Sequence, residues 1–189
     1  MEKEEVIAIL ESTDAILIAD EAYMEFAKGS LVQDVTKHDN LIVLRTMSKA
    51  FGLAGLRLGC LAANEEIVEM INRVRPPYNL NVVTQHLGVK ALREKERMLT
   101  YVEEVKIERE YLFDGLKNLG IKVYPSSANF LLFQCPVAGL GQKLQAKGVL
   151  IRGFSGELKS YYRVSVGSRD ENRKFLSSME EIMNRESVR

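Results

Sequence analysis

Apolar positions change their period along the chain, and the changes mark its elements. Val6, Ile7, Ile9 and Leu10 fall at helical spacing, which predicts a short amphipathic helix over 3–12. Thr13 and Asp14 interrupt it, and Ala15–Ala19 is a continuous apolar run suited to a buried strand. The polar stretch 24–40 reads as a connection with a short helical piece, and a second strand follows at 41–45. Residues 46–57 are loop-like, with Gly52 and Gly55 allowing backbone shapes that other residues resist. A third apolar run, 58–62, reads as another buried strand. Continuous apolar runs separated by helices indicate a largely parallel sheet covered on both faces.

Asn64 is a good N-cap for a helix whose apolar face is Ile67, Val68, Met70, Ile71 and Val74, and which Pro76 and Pro77 stop. A long helical region follows at 81–118, broken near the charged cluster 93–97 and closed by Gly120. Short strands are then predicted at 121–124, 129–133, 149–152 and 161–166, with helices at 139–147 and 170–184. Ser168 and Glu171 have capping-box spacing for the last helix. The predicted organisation is 1–80, an α/β part; 81–118, linking helices; and 119–189, a small α+β domain.

Composition removes several function classes. With 26 basic and 26 acidic residues the chain has no basic footprint for nucleic acid and no polybasic membrane patch. Its apolar runs fall far short of the ~20 residues that span a bilayer. The acidic start, residues 1–5, lacks a signal peptide's positive region. Cys60 and Cys135 show no metal spacing, so two reduced thiols in a cytoplasmic protein are expected. His38 and His86 stand alone, and no metal site is expected.

Chemistry concentrates at two strand ends. Lys49 follows the run 41–44, with hydroxyls at Thr46 and Ser48 and a guanidinium at Arg57. Such a set can hold a phosphorylated aldehyde covalently at one end and by its phosphate at the other. The strand 15–19 ends in Asp20, with Tyr23 close behind. A carboxylate against a pyridine nitrogen keeps it protonated, and a phenol can hydrogen-bond a ring oxygen. An apolar run ending in Asp-Glu also has the shape of a Walker B strand, but no Gly-x-x-x-x-Gly-Lys loop precedes it. On strand 161–166, Val164 and Val166 share a face with Tyr162, so Arg163 and Ser165 point the other way, the pattern of a solvated strand face.

Asp20–Tyr23 followed by Ser48–Gly59 resembles the fold-type-I pyridoxal-phosphate aminotransferases, and within them most closely the histidinol-phosphate aminotransferases. The likeness continues through Pro76–Asn79, Ser127–Phe130 and Arg163–Gly167. It implies the C-terminal part of that family's large α/β domain, with a mostly parallel sheet, plus the small C-terminal α+β domain. It implies pyridoxal 5'-phosphate as cofactor, carried covalently by Lys49. Asp20 would pair with the pyridine nitrogen, Tyr23 with the ring oxygen, and Thr46, Ser48 and Arg57 with the phosphate. Arg163 would clamp a substrate carboxylate and Arg152 would approach the phosphate of the amino donor. Asn129 would be structural or would back the residues that touch the ligand, and Tyr78 and Asn79 would lie in a loop near a dimer interface and the active site.

The activity implied is amino transfer between L-histidinol phosphate and 2-oxoglutarate in histidine biosynthesis, by a cytoplasmic homodimer. Relatives with the same cofactor motifs use aromatic amino acids or decarboxylate threonine phosphate. Family chains are about twice as long, and the counterparts of their first strands, glycine-rich phosphate loop and ring-stacking aromatic are not found here. An unpaired sheet edge and association through it are therefore expected. The contrasting reading is a catalytically inert folding or interaction unit.

Overall fold

The computed structural model describes residues 2–187. The chain forms two compact units that divide between Thr100 and Tyr101. The first contains α1 (Lys3–Glu11), β1 (Leu17–Asp20), β2 (Leu41–Thr46), β3 (Gly59–Ala62), α2 (Glu65–Val74) and α3 (Val82–Arg93). The division falls inside α4 (Lys95–Asn118). The second contains β4 (Lys122–Tyr124), β5 (Phe130–Gln134), α5 (Leu140–Gln145), β6 (Arg152–Gly153), β7 (Tyr161–Ser165) and α6 (Arg169–Ser187).

In the first unit the sheet order is β1-β2-β3. β1 and β2 are parallel, with Leu17 opposite Leu41 and Asp20 opposite Leu44. β3 runs antiparallel to β2, with Thr46 opposite Gly59, so the described sheet is mixed. Direction is set by the connection: the twelve residues between β2 and β3 carry no crossover helix, and parallel neighbours need one. One face is closed by α1 and the segment before β2, which bury Leu10, Leu31, Val35, Leu41 and Val43 together. The opposite face is covered at Ile42, which is 7% exposed, but Ile18 on β1 is 60% exposed. The fully buried strand expected at 15–19 is thus buried on one face only. Asn40 ties the start of β1 to α1, its carboxamide nitrogen lying 3.2, 2.9 and 3.1 Å from the carbonyls of Leu10, Thr13 and Ala15.

Local signals act as expected at the helix ends. The Asn64 side chain accepts the Ile67 N–H at 2.9 Å, and Asn81 accepts that of Thr84 at 2.9 Å. Gly120 takes φ 73°, and the Ile121 N–H bonds the Leu116 carbonyl, ending α4. Ser168 and Glu171 form the capping box, the Ser168 N–H donating to Glu171 Oε2 at 2.8 Å. These bonds hold the Glu171 carboxyl below the usual carboxylate range.

The second unit has sheet order β4-β5-β7-β6, all antiparallel. Its core lies on one face, where Leu112 and Leu116 of α4, Leu144 of α5 and Phe175 and Met179 of α6 meet Leu131, Phe133, Tyr162 and Val164. β6 is only two residues long, shorter than the strand predicted at 149–152. Cys135 is buried and Cys60 exposed; both are free thiols. Among the described residues no helix is long and apolar enough to cross a membrane, and no His, Cys, Asp and Glu cluster could hold a metal.

Candidate active site

Parallel pairing of β1 with β2 places their C-terminal ends side by side, and antiparallel β3 begins at that same end. Asp20 is the last residue of β1, Thr46 the last of β2, and Gly59 opens β3 opposite Thr46. Tyr23, Ser48, Lys49 and Arg57 lie in the loops that leave or enter these termini. The fold therefore gathers all six residues proposed from the sequence for cofactor binding at one end of one sheet. Ligands of open α/β sheets bind outside the carboxyl ends of strands.

The lysine loop is internally bonded. The Met47 N–H donates to the Leu58 carbonyl at 3.0 Å, Leu53 N–H to Met47 O at 2.9 Å and Gly52 N–H to Lys49 O at 3.0 Å. Thr46 Oγ1 lies 2.9 Å from Ser48 Oγ and accepts the Ser48 N–H at 3.1 Å, so the two hydroxyls stand together. The loop is backed by α3: the Thr84 hydroxyl donates to the Leu56 carbonyl at 3.2 Å. A Cβ built on Gly88 would stand 2.5 Å from Leu58 Cδ2, so this glycine lets α3 approach. Arg57 adopts φ 53°, left-handed backbone that is rare outside glycine, and its Nη1 donates to the Ala54 carbonyl at 3.2 Å.

Lys49 Nζ lies 5.0 Å from the centre of the Tyr23 ring, so the amine and the phenol face one region. Asp20 Oδ1 accepts the Ala22 N–H at 3.0 Å in an otherwise exposed position. An acid, a phenol, an amine, two adjacent hydroxyls and a guanidinium form a donor set that fits a phosphorylated pyridine aldehyde. The residue types match each of its polar groups, and Lys49 is only partly covered, so its amine is open to a carbonyl.

Beneath this end of the sheet lies a network to which the sequence reading gave no role. Glu21, 3% exposed, accepts the Leu31 N–H at 2.6 Å, the Ser30 hydroxyl at 2.8 Å and Arg45 Nε at 2.8 Å. Arg45 also donates from Nη1 to Glu25 Oε1 and from Nη2 to Ser30 Oγ, both at 2.8 Å. A signal was available: a charged residue ending an apolar strand needs a buried partner.

In the second unit, Arg163 and Arg152 stand directly opposite each other on β7 and β6. Registered antiparallel partners project from the same face, here the face away from the core. Arg163 packs its guanidinium carbon 4.9 Å from the Phe130 ring centre, and Arg152 packs 5.8 Å from that of Phe154. None of the four strands contains an Asp or Glu. The sequence placed the two arginines on separate strands; the pairing makes them neighbours. On the same face Tyr124 and Tyr161 approach through their hydroxyls at 3.5 Å. That bond, with help from Lys122, lowers the Tyr124 phenol; the same bond, with burial and against the pull of Lys122, raises that of Tyr161. Asn129 contributes its carbonyl to the Val166 N–H at 2.9 Å, and Tyr78 is an exposed loop residue at φ 58°.

Residues 1–179 match the family model described as aminotransferase class I and II. The chain is 42% identical over 173 residues to the histidinol-phosphate aminotransferase of Clostridium novyi (strain NT), an alignment covering 90% of this chain and 49% of that protein. The solved histidinol-phosphate aminotransferase of Clostridium acetobutylicum aligns with a TM-score of 0.89 at 26% identity, covering 98% of this chain and 60% of that one. That of Sinorhizobium meliloti, solved in complex with pyridoxal-5'-phosphate, aligns at 0.86 with 21% identity, covering 98% and 54%, and shares the fold. The chain thus spans about half the length of the curated relatives it matches.

Proposed function

This chain belongs to the class I and II aminotransferase family, and we propose that it serves pyridoxal-phosphate-dependent amino transfer from L-histidinol phosphate to 2-oxoglutarate, in the cytoplasm and as a homodimer. The observation that carries this reading is the convergence of Asp20, Tyr23, Thr46, Ser48, Lys49 and Arg57 at one end of the first unit's sheet. In this reading 1–80 is the cofactor-binding part, 81–118 links and 119–189 is the small domain. The division of the compact units inside α4 supports the linking role.

Pyridoxal phosphate, when bound, supplies an electron sink that stabilises negative charge on the substrate's α-carbon. The chain supplies the rest. Asp20 holds a proton on the ring nitrogen and Tyr23 donates to the ring oxygen. Thr46, Ser48 and Arg57 bind the phosphate, Arg57 by its planar fork. Lys49 would be the covalent anchor; displaced by the donor's own amine, its freed amine would be the base that takes the donor's α-proton. In the second unit Arg163 receives the carboxylate of the oxo acid or of glutamate. Arg152, beside it, meets the phosphate ester of the donor. Two opposed guanidiniums repel each other unless an anion lies between them, which suits anionic substrates.

Mixing the chain with pyridoxal phosphate tests the reading. A visible absorption band should appear, borohydride should make the attachment permanent, and mass spectrometry should place it on Lys49. Lys49→Ala should abolish the attachment. Attachment surviving that substitution, or none in the parent chain, would sink the proposal and favour an inert folding unit. Assays with histidinol phosphate, aromatic amino acids and threonine phosphate then separate the donors.

A further inference from the structure

The hydrogen-bonded register of β1 and β2 ends where the proposed cofactor residues begin. Asp20 is the last registered residue of β1, and one further bond, Glu21 N–H to Leu44 O at 3.0 Å, extends the ladder. Beyond it the Arg45 guanidinium joins the two strand ends. Its three nitrogens take three different acceptors: Nε to Glu21, Nη1 to Glu25 and Nη2 to Ser30. Glu21 adjoins Asp20, Glu25 lies two residues past Tyr23, and Arg45 adjoins Thr46. One arm thus ends beside Asp20 and a second close behind Tyr23, while the third ends on Ser30, whose hydroxyl in turn donates to Glu21 at 2.8 Å. A guanidinium fixes all three directions at once, whereas an ammonium on a flexible stem does not.

The network is costly as a stabilising device. It sets two carboxylates against one guanidinium, with Glu21 3% exposed. Glu25 Oε2 is buried without a hydrogen-bond partner among the described residues. Apolar replacements of buried ion pairs are often as stable or more so. What an apolar cluster would not supply is direction.

We propose that Arg45 is a positioning residue: through Glu21, Glu25 and Ser30 it sets the separation between the acid–phenol end of β1 and the lysine end of β2. It thereby sets where Lys49 Nζ stands relative to the Tyr23 ring. The proposal rests on the cofactor reading above, and its test has a readout independent of cofactor.

Lysines are reductively methylated with ¹³C, and the Lys49 signal is assigned by its loss in Lys49→Arg. An amine held near the Tyr23 ring should carry a ring-current shift that Tyr23→Leu removes. Arg45→Lys should lose most of that shift and, unmethylated, weaken pyridoxal phosphate binding about tenfold, or ~1.4 kcal/mol. Leu131→Ala, a core change in the second unit, should lower the melting temperature yet keep both signatures. If Arg45→Lys does not fold, Ser30→Ala, which removes one arm's acceptor, carries the same comparison. Retention of the shift and the affinity in the folded network variants would overturn the inference. So would equal losses in Leu131→Ala, or a parent chain with no ring-current shift at Lys49. A parent chain that shows the network-dependent shift but takes up no pyridoxal phosphate would instead overturn the cofactor reading alone.

Discussion

Arg57 holds φ 53°. For an L-residue with a Cβ this backbone costs about 1–2 kcal/mol, which glycine avoids. Its guanidinium makes one local bond, to Ala54, and is otherwise exposed, so packing does not explain the arginine. Strain kept at such a position points to function. Arg57→Gly should therefore stabilise the fold by roughly 1 kcal/mol in urea unfolding while weakening pyridoxal phosphate binding. A simple loss of both would show that Arg57 is structural. The other candidate residues were legible as a set because an acid, a phenol, an amine and hydroxyls read the same in sequence and in space, and the strand pairing brings them to one end of the sheet. Arg45 was not, since its meaning lies in three partners that are distant in sequence, one at position 21, one at 25 and one at 30.

At the scale of elements, α3 shows how a helix shapes a loop it does not belong to. Gly88 brings α3 against Leu58, and Met47 Sδ lies 3.7 Å from where a Cβ would stand. Gly88→Val adds bulk to that contact. Overpacking costs about 1–3 kcal/mol, and the displaced Leu58 starts the return leg of the lysine loop. The expected outcome is a lower melting temperature together with weaker cofactor retention, measured by dialysis. Unchanged retention would mean that α3 does not shape the loop. Helix ends were legible because their signals are local: Asn64, Gly120 and the Ser168–Glu171 pair each act within a few residues. The direction of β3 and the open face of β1 were not, because an apolar run looks the same in a parallel or antiparallel pair. Burial of both faces also depends on which elements return to cover them.

For the whole molecule, β1 presents an edge without a strand partner among the described residues, with Ile16 59% and Ile18 60% exposed beside it. Such an edge favours pairing with another chain. The proposed homodimer should therefore appear in sedimentation at micromolar concentration, and Ile18→Lys, which adds charge to the edge, should shift the population towards monomer. A monomeric parent chain would count against association there. The paired arginines of the second unit have a different consequence. If these two opposed guanidiniums, with no acid on their strands, receive anionic substrates as proposed, they would also take up other small dianions in solution. By mass action, whatever binds the folded form alone stabilises it in proportion to its concentration. A sulfate or phosphate buffer would then act as an unrecorded ligand. It would compete with substrate and flatter the thermal stability, so kinetics and unfolding compared across buffers would report on different species.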